Sequence, residues 1–247
     1  MSVLQAITLG VIQGLTEFLP VSSSGHLIIL PQVFGWESQP LVFDLVLHLG
    51  TALALVGYFF RDLINFKKLW PILLVGSIPA GIIGFLFGDF FEMYFRGTLT
   101  VAIFLILGSI FMFLAEKFAK SKDANLGYKK SLFIGLFQAL ALFPGMSRSG
   151  STISGGMFLG LSREAAARFS FLLSVPIVIA ASAFKVYESL SISSLTFDIS
   201  LFAGFLSSFL IGLLAIKFLM NFVKKHSLFW FVGYRLLLAL LLLTISL

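Results

Sequence analysis

Two stretches of this chain set reactive side chains in apolar surroundings. Residues 13–26 read QGLTEFLPVSSSGH, and residues 138–152 read QALALFPGMSRSGST. The first offers a carboxylate, Glu17, four residues after an amide, Gln13, so the two share a helix face. Behind Pro20 follow Ser22, Ser23 and Ser24, then Gly25 and His26. The second offers a guanidinium, Arg148, among Ser147, Ser149, Ser151 and Thr152, behind Pro144 and Gly145. A guanidinium flanked by hydroxyls at a helix start suits phosphate oxygens. A hydroxyl with a carboxylate or imidazole to take its proton can attack phosphorus. A carboxylate and an imidazole can also bind metal. The set suits phosphoryl transfer or phosphate hydrolysis.

The two stretches are one device written twice. Gln13 and Gln138 lie 125 residues apart, as do Ser24 and Ser149, and Gly25 and Gly150; Pro20 and Pro144 lie 124 apart. The likeness continues beyond them, FDLVLHLG at 43–50 corresponding to FSFLLSVP at 169–176. The copies differ where chemistry would occur. The first holds Glu17, Ser23 and His26. The second has Leu142 near the carboxylate position and contributes Arg148.

The elements that must position these groups lie in a membrane. The chain is 59% hydrophobic and 11% charged, against about a quarter charged for a soluble domain. Several apolar stretches reach the roughly 20 residues that span a bilayer as a helix, and barrel-type alternation is absent. With no cysteine, disulfides and thiolate metal sites are excluded. The net charge of +6 sits in short loops, which fits the positive-inside bias better than nucleic-acid binding. Residues 1–60 hold no Lys or Arg, so no cleavable signal peptide is expected.

Eight apolar segments are expected at about 3–30, 41–60, 70–88, 99–118, 131–160, 165–187, 199–222 and 228–247. The first and fifth are broken by Pro and a Ser/Gly turn, and neither half alone is long enough to span. Irregular backbone at membrane depth survives only when buried in protein or lining a wet cavity. Both therefore read as re-entrant helical hairpins. Basic loops belong in the cytoplasm. Lys and Arg outnumber acids in the loops with Arg61, Lys67 and Lys68, with Lys117, Lys120, Lys122, Lys129 and Lys130 (against Glu116 and Asp123), and with Lys224 and Lys225. The loops with Asp89, Glu92 and Arg96, and with Lys185, Glu188 and Asp198, are net acidic. One path satisfies all five. It gives an all-α polytopic membrane protein with six transmembrane helices and two re-entrant hairpins. It forms a single domain over 1–247, with repeat 1 at about 1–120, repeat 2 at about 121–247, opposite orientations and both termini outside. Such inverted repeats bring broken helices together near the midplane.

The two motifs resemble the signatures of the bacterial undecaprenyl-pyrophosphate phosphatase family, also known as bacitracin-resistance proteins. The first resembles the family's (Glu/Gln)-x-x-x-Glu segment running into PVSSxGH; the second, PGMSRSGST at 144–152, resembles PGxSRSxxT. The likeness covers essentially the whole chain. It implies hydrolysis of undecaprenyl pyrophosphate to undecaprenyl phosphate and inorganic phosphate. That reaction recycles the lipid carrier for peptidoglycan and other envelope polymers and confers bacitracin resistance. It implies an inner-membrane location, a site open to the periplasmic or extracellular side, and a divalent cation, Mg²⁺ or Ca²⁺. By resemblance Glu17 is the essential glutamate, Ser23 the nucleophile, His26 the motif histidine and Arg148 the phosphate-binding arginine. Ser147, Ser149 and Thr152 are the second-motif hydroxyls, and Ser22, Ser24 and Gln13 complete the substrate-binding set. Gln13 stands where many members have glutamate, so Glu17 is the one carboxylate there for a metal.

Other readings stay open at this stage. Ser22 and Ser24 can act as helix caps alone. Asp44 and His48, one helical turn apart, can line the cavity or bond across helices. Arg163 and Arg168 read as cytoplasmic loop charges. Small residues at 204–208 permit close helix packing, within one chain or in a homodimer. Most of the 30 phenylalanines would face lipid or pack, with some bordering a groove for an isoprenoid tail. Paired broken helices are also transporter architecture, so a polyprenyl-phosphate flippase or secondary transporter is the competing function. A nucleophile–base–arginine set exceeds what transport requires.

Overall fold

The computed structural model describes residues 1–37, 41–65, 69–120, 126–192 and 198–246, with the backbone alone for residues 41, 182–192 and 246. Lys67, Lys68, Lys122 and Asp123, used above as loop charges, lie outside the described residues, as do the side chains of Lys185 and Glu188. Every described element is helical. In order they are α1 Val3–Thr16, α2 Ser23–Phe34, α3 Leu41–Tyr58, α4 Phe60–Asn65, α5 Leu69–Phe95, α6 Thr98–Phe118, α7 Tyr128–Leu140, α8 Arg148–Phe158, α9 Arg163–Ile192, α10 Ile199–Lys225 and α11 Phe229–Ser246.

Among the described residues, four helical stretches are long and apolar enough to cross a membrane: Leu69–Phe95, Thr98–Phe118, Arg163–Ala181 and Ile199–Lys225. Their outward faces carry large apolar side chains such as Phe85, Leu86, Met93 and Leu214. Lipid, not water, is the solvent such faces suit. The chain is thus a polytopic membrane protein. Helices α3 and α11 are apolar and shorter, at 18 residues each.

Helices α1, α2, α7 and α8 have 14, 12, 13 and 11 residues, each below a bilayer's thickness. The breaks fall at residues 17–22 and 141–147, around Pro20 and Pro144. Proline lacks an N–H and disfavours helical backbone in the residue before it. Each break ends on a serine with positive φ, Ser22 at 73° and Ser147 at 71°, the two such non-glycine residues among those described. That backbone costs about 1–3 kcal/mol and persists only where surroundings enforce it. Ser22 then caps α2 by accepting from Gly25 N, and Ser147 caps α8 by accepting from Gly150 N. Helix α2 thus begins at Ser23.

Packing runs crosswise. Helix α1 lies along α10, and α7 lies along α5. At the first contact a Cβ on Gly10 would sit 2.0 Å from Ser207 Oγ and 2.5 Å from Gly204 O. At the second, a Cβ on Gly135 would sit 2.1 Å from Gly76 O. Gly10 and Gly135 are again 125 residues apart. Gly50 of α3 approaches Ser208 and Phe205 O equally closely. The small residues at 204–208 therefore serve packing inside the chain. Helices α6 and α11 pair with each other, as do α3 and α9. The main apolar cluster, with Phe59, Leu73, Met112, Ile153 and Phe171, takes in Phe18, Leu19 and Val21 of the first break.

At one end of the bundle, charges tie the helices. Glu116, nearly buried, takes Arg163 and also accepts from Leu228 N at 3.2 Å. Arg168 pairs with Asp62, and Lys224 with Glu164 at 3.2 Å. Arg163 and Arg168 are thus joints between helices as well as loop charges.

Overpacking one close contact should disrupt the whole bundle. Gly135→Val is expected to destabilise by about 1–3 kcal/mol or more, read as a lowered Tm in detergent. Gly88→Ala, where no atom lies within 4 Å of the added carbon, is expected to melt like the parent. Equal melting of the Gly135 variant would contradict this packing.

Candidate active site

Glu17 is the C-cap of α1, its N–H bonded to Gln13 O. A helix C-terminus carries partial negative charge and disfavours a carboxylate there. Arg148 opens α8, where partial positive charge disfavours a guanidinium. Each is compensated by the other: Arg148 Nη2 donates to Glu17 Oε1 at 2.7 Å. Ser23 Oγ donates to Glu17 Oε2 at 2.7 Å, and Gln13 Nε2 donates to the same oxygen at 3.2 Å. The Glu17 and Arg148 side chains are only 9% and 14% exposed, so solvent screens this pair weakly. Arg148 Nη1 is buried with no hydrogen-bond partner. An unmet buried donor is costly, and an oxyanion is a group chemically able to satisfy a guanidinium.

Ser23 and Arg148 are 125 residues apart and each is the first residue of its helix. One backbone position thus carries the hydroxyl in the first copy and the guanidinium in the second. The remaining hydroxyls hold the breaks in shape. Ser22 and Ser147 cap, as above. Ser24 Oγ accepts from Gly145 N at 3.4 Å, and Ser149 Oγ donates to Leu19 O at 3.2 Å, so each break bonds the other. Thr152 donates to Arg148 O at 2.7 Å and meets Ser170 of α9. Expected as phosphate ligands, Ser147, Ser149, Thr152, Ser22 and Ser24 already have partners within the protein. Gly145 adopts φ 99°, and a Cβ there would lie 2.5 Å from Val101 O. Only glycine meets both demands.

The structure does not bring His26 to the Ser23–Glu17 pair. Its Nδ1 lies 2.7 Å from Ser22 O and its Nε2 2.6 Å from Tyr234 Oη, with the two rings stacked. The nearer imidazole is His48, with Nε2 3.9 Å from Glu17 Oε2 and Nδ1 2.8 Å from Asp44 O. Of the two open readings for His48, lining the site is the one observed; Asp44 pairs with Arg96 at 3.4 Å. Sequence reasoning missed Tyr234 and Arg235 of α11. Arg235 is completely buried, donating from Nε to Ser109 Oγ and from its fork to five backbone carbonyls. The available signal was one arginine inside the otherwise uncharged run 228–247.

Among the described residues, no group of three or more His, Cys, Asp or Glu could cage a metal ion. Glu17 offers one carboxylate, already engaged by Arg148, Ser23 and Gln13. That donor set fits Mg²⁺ or Ca²⁺ in one mode: a single carboxylate completing a cation already held by substrate phosphates.

The ion pair should show strong coupling. Arg148→Met leaves a buried carboxylate without its cation and should lose about 3–5 kcal/mol. Glu17→Gln combined with Arg148→Met should lose clearly less than the two single changes summed. Thermal unfolding of the four proteins measures this; strictly additive losses would mean the contact is energetically idle.

Comparison with known proteins agrees with this geometry. The sequence profile described as Bacitracin resistance protein BacA matches residues 6–241. A protein of Thermodesulfovibrio yellowstonii named undecaprenyl-diphosphatase is 43% identical over 242 residues, covering 95% of this chain and 94% of the relative. Proteins of the same name from Moorella thermoacetica (42% identical, 99% and 98% covered) and Methanosphaera stadtmanae (40%, 95% and 94%) are also similar. With a match over nearly its full length, the chain belongs to the BacA family of bacitracin resistance proteins.

Proposed function

We propose that this chain is an undecaprenyl-diphosphatase of the bacterial inner membrane, releasing inorganic phosphate from undecaprenyl pyrophosphate. Its product, undecaprenyl phosphate, re-enters peptidoglycan synthesis, and continued recycling accounts for bacitracin resistance. The observation that carries this reading is Glu17, which accepts from Ser23 Oγ on one oxygen and from Arg148 on the other. Base, nucleophile and anion clamp thus share one carboxylate. A flippase would not need the hydroxyl aimed at that base.

Pyrophosphate oxygens displace Glu17 from Arg148 and take both terminal nitrogens of the guanidinium, including the unpartnered Nη1. Free N–H groups at the starts of α2 and α8 add to the clamp. Ser23 Oγ attacks the terminal phosphorus and Glu17 takes its proton. The bond to the bridging oxygen breaks, and undecaprenyl phosphate leaves with that oxygen. The leaving undecaprenyl phosphate takes that proton from Glu17, which is ionised again. Water then attacks the phosphoserine and Glu17 takes its proton. The bond from phosphorus to Ser23 Oγ breaks, Glu17 returns the proton to Oγ, and inorganic phosphate is freed. A divalent cation, Mg²⁺ or Ca²⁺, held by Glu17 and the phosphates, would neutralise charge on those oxygens. His26, bonded to Ser22 O, steadies the start of α2. Positioning and charge compensation supply most of the acceleration.

Six transmembrane helices, α3, α5, α6, α9, α10 and α11, with α1–α2 and α7–α8 as re-entrant hairpins, fit the same reading. Repeat 1 over about 1–120 and repeat 2 over about 121–247 would then run in opposite directions. The short half-helices, the matched serine caps and the crosswise glycine contacts support this arrangement. The loop charges favour both termini on the outer side, and the family likeness favours an active site open to that side.

Ser23→Ala should abolish phosphate release from a prenyl pyrophosphate in detergent and prevent trapping of a phosphoserine; near-normal turnover would favour direct attack by water. Arg148→Ala should lower kcat/KM on the order of 10²–10³-fold. A C-terminal reporter active only in the cytoplasm would overturn the topology.

A further inference from the structure

We propose that Arg235 is a positioning residue for hydrolysis, one guanidinium that fixes the separation of Ser23 from Arg148. The proposal rests on the phosphatase reading above. Arg235 Nη1 donates to Pro20 O at 3.3 Å, and Nη2 donates to Gly145 O at 3.0 Å. Pro20 and Gly145 are 125 residues apart, so the fork grips the same carbonyl in each copy of the motif. Each carbonyl lies three residues before a reactive side chain: Ser23 after Pro20, Arg148 after Gly145. Both intervening segments pass through a positive-φ serine, which surroundings must enforce.

The rest of the side chain anchors this fork to α6. Nε donates to Ser109 Oγ at 3.1 Å, and Nη2 also reaches Leu105 O at 3.2 Å and Met146 O at 3.2 Å. Gly108 provides the room, since a Cβ there would lie 2.1 Å from Arg235 Nη2 and 2.7 Å from Met146 O. Every partner is neutral, so charge pairing does not explain the residue. A rigid fork with five donors is what bridging several carbonyls requires, and a lysine has no such shape. The neighbouring Tyr234 extends the grip to His26, so α11 holds the first break at two points.

The test uses the full chain in detergent, farnesyl pyrophosphate as the probe, and rates from the monodisperse fraction well below each variant's Tm. Arg235→Lys is expected to lower kcat on the order of 100-fold, with KM changed less than about threefold. Gly108→Ala, which keeps the guanidinium and displaces it, is expected to shift kcat in the same direction. Loss of folded protein alone would leave kcat per folded molecule unchanged. A parental kcat in either folded variant overturns the proposal, and Gly108→Ala decides if Arg235→Lys does not fold. Absence of phosphate release by the parent chain would instead sink the phosphatase reading.

Discussion

The contact between Glu17 and Arg148 constrains everything around it. Both groups sit at the helix end that disfavours their charge, inside a structure that largely excludes water. Neither would be tolerable alone at that depth, since an unpaired buried ion costs several kcal/mol. The chain must therefore interrupt two helices at one level and turn the interruptions toward each other. The prolines, the strained serine caps and Gly145 produce the interruptions. The crosswise glycine contacts of α1 on α10 and α7 on α5 bring them together. A charge pair poor in helix energetics is well placed to exchange one partner for a phosphate.

The two breaks share a backbone and divide the chemistry. Serine caps, the N–H groups they accept from and the carbonyls held by Arg235 recur at a spacing of 125 residues. Side chains at the equivalent helix starts do not recur: a hydroxyl stands in one and a guanidinium in the other. Pairing related scaffolds doubles the number of helix N-termini facing the site, which is what an anion with two phosphates demands. It also leaves each copy free to specialise, because the frame is held by atoms other than the reactive ones.

Much of the frame was legible in the chain. Apolar runs and proline breaks located most of the helices, because in a membrane hydropathy and backbone satisfaction leave few alternatives; α5 runs on to Phe95, past the expected end at 88, and α4 was not foreseen. Glu17, Ser23 and Arg148 were legible as polar groups in apolar surroundings, and they do meet. Partner choice was not legible. Ser24 bonds across to Gly145, while His26 turns to Tyr234, 208 residues away, and no local spacing encodes such pairings. Arg235 makes the point most clearly: read locally it is one charge in a lipid-length helix, and its five carbonyls come from three other segments. His48 belongs to a helix that periodicity marks only as apolar, so its approach to Glu17 appears once α3 is packed.

The lodging of α1 along α10 has a consequence for synthesis. The chain grows from its amino end, so Gln13 and Glu17 leave the ribosome long before the small-residue face at 204–208 exists. Until then the first break has no groove to lie in, although Arg148 has already been made. Helices α10 and α11, made after the other elements around the two breaks, supply the groove and the fork. Assembly of the site therefore waits on them, and a polypeptide halted before α10 would carry its polar residues with nowhere to fold them.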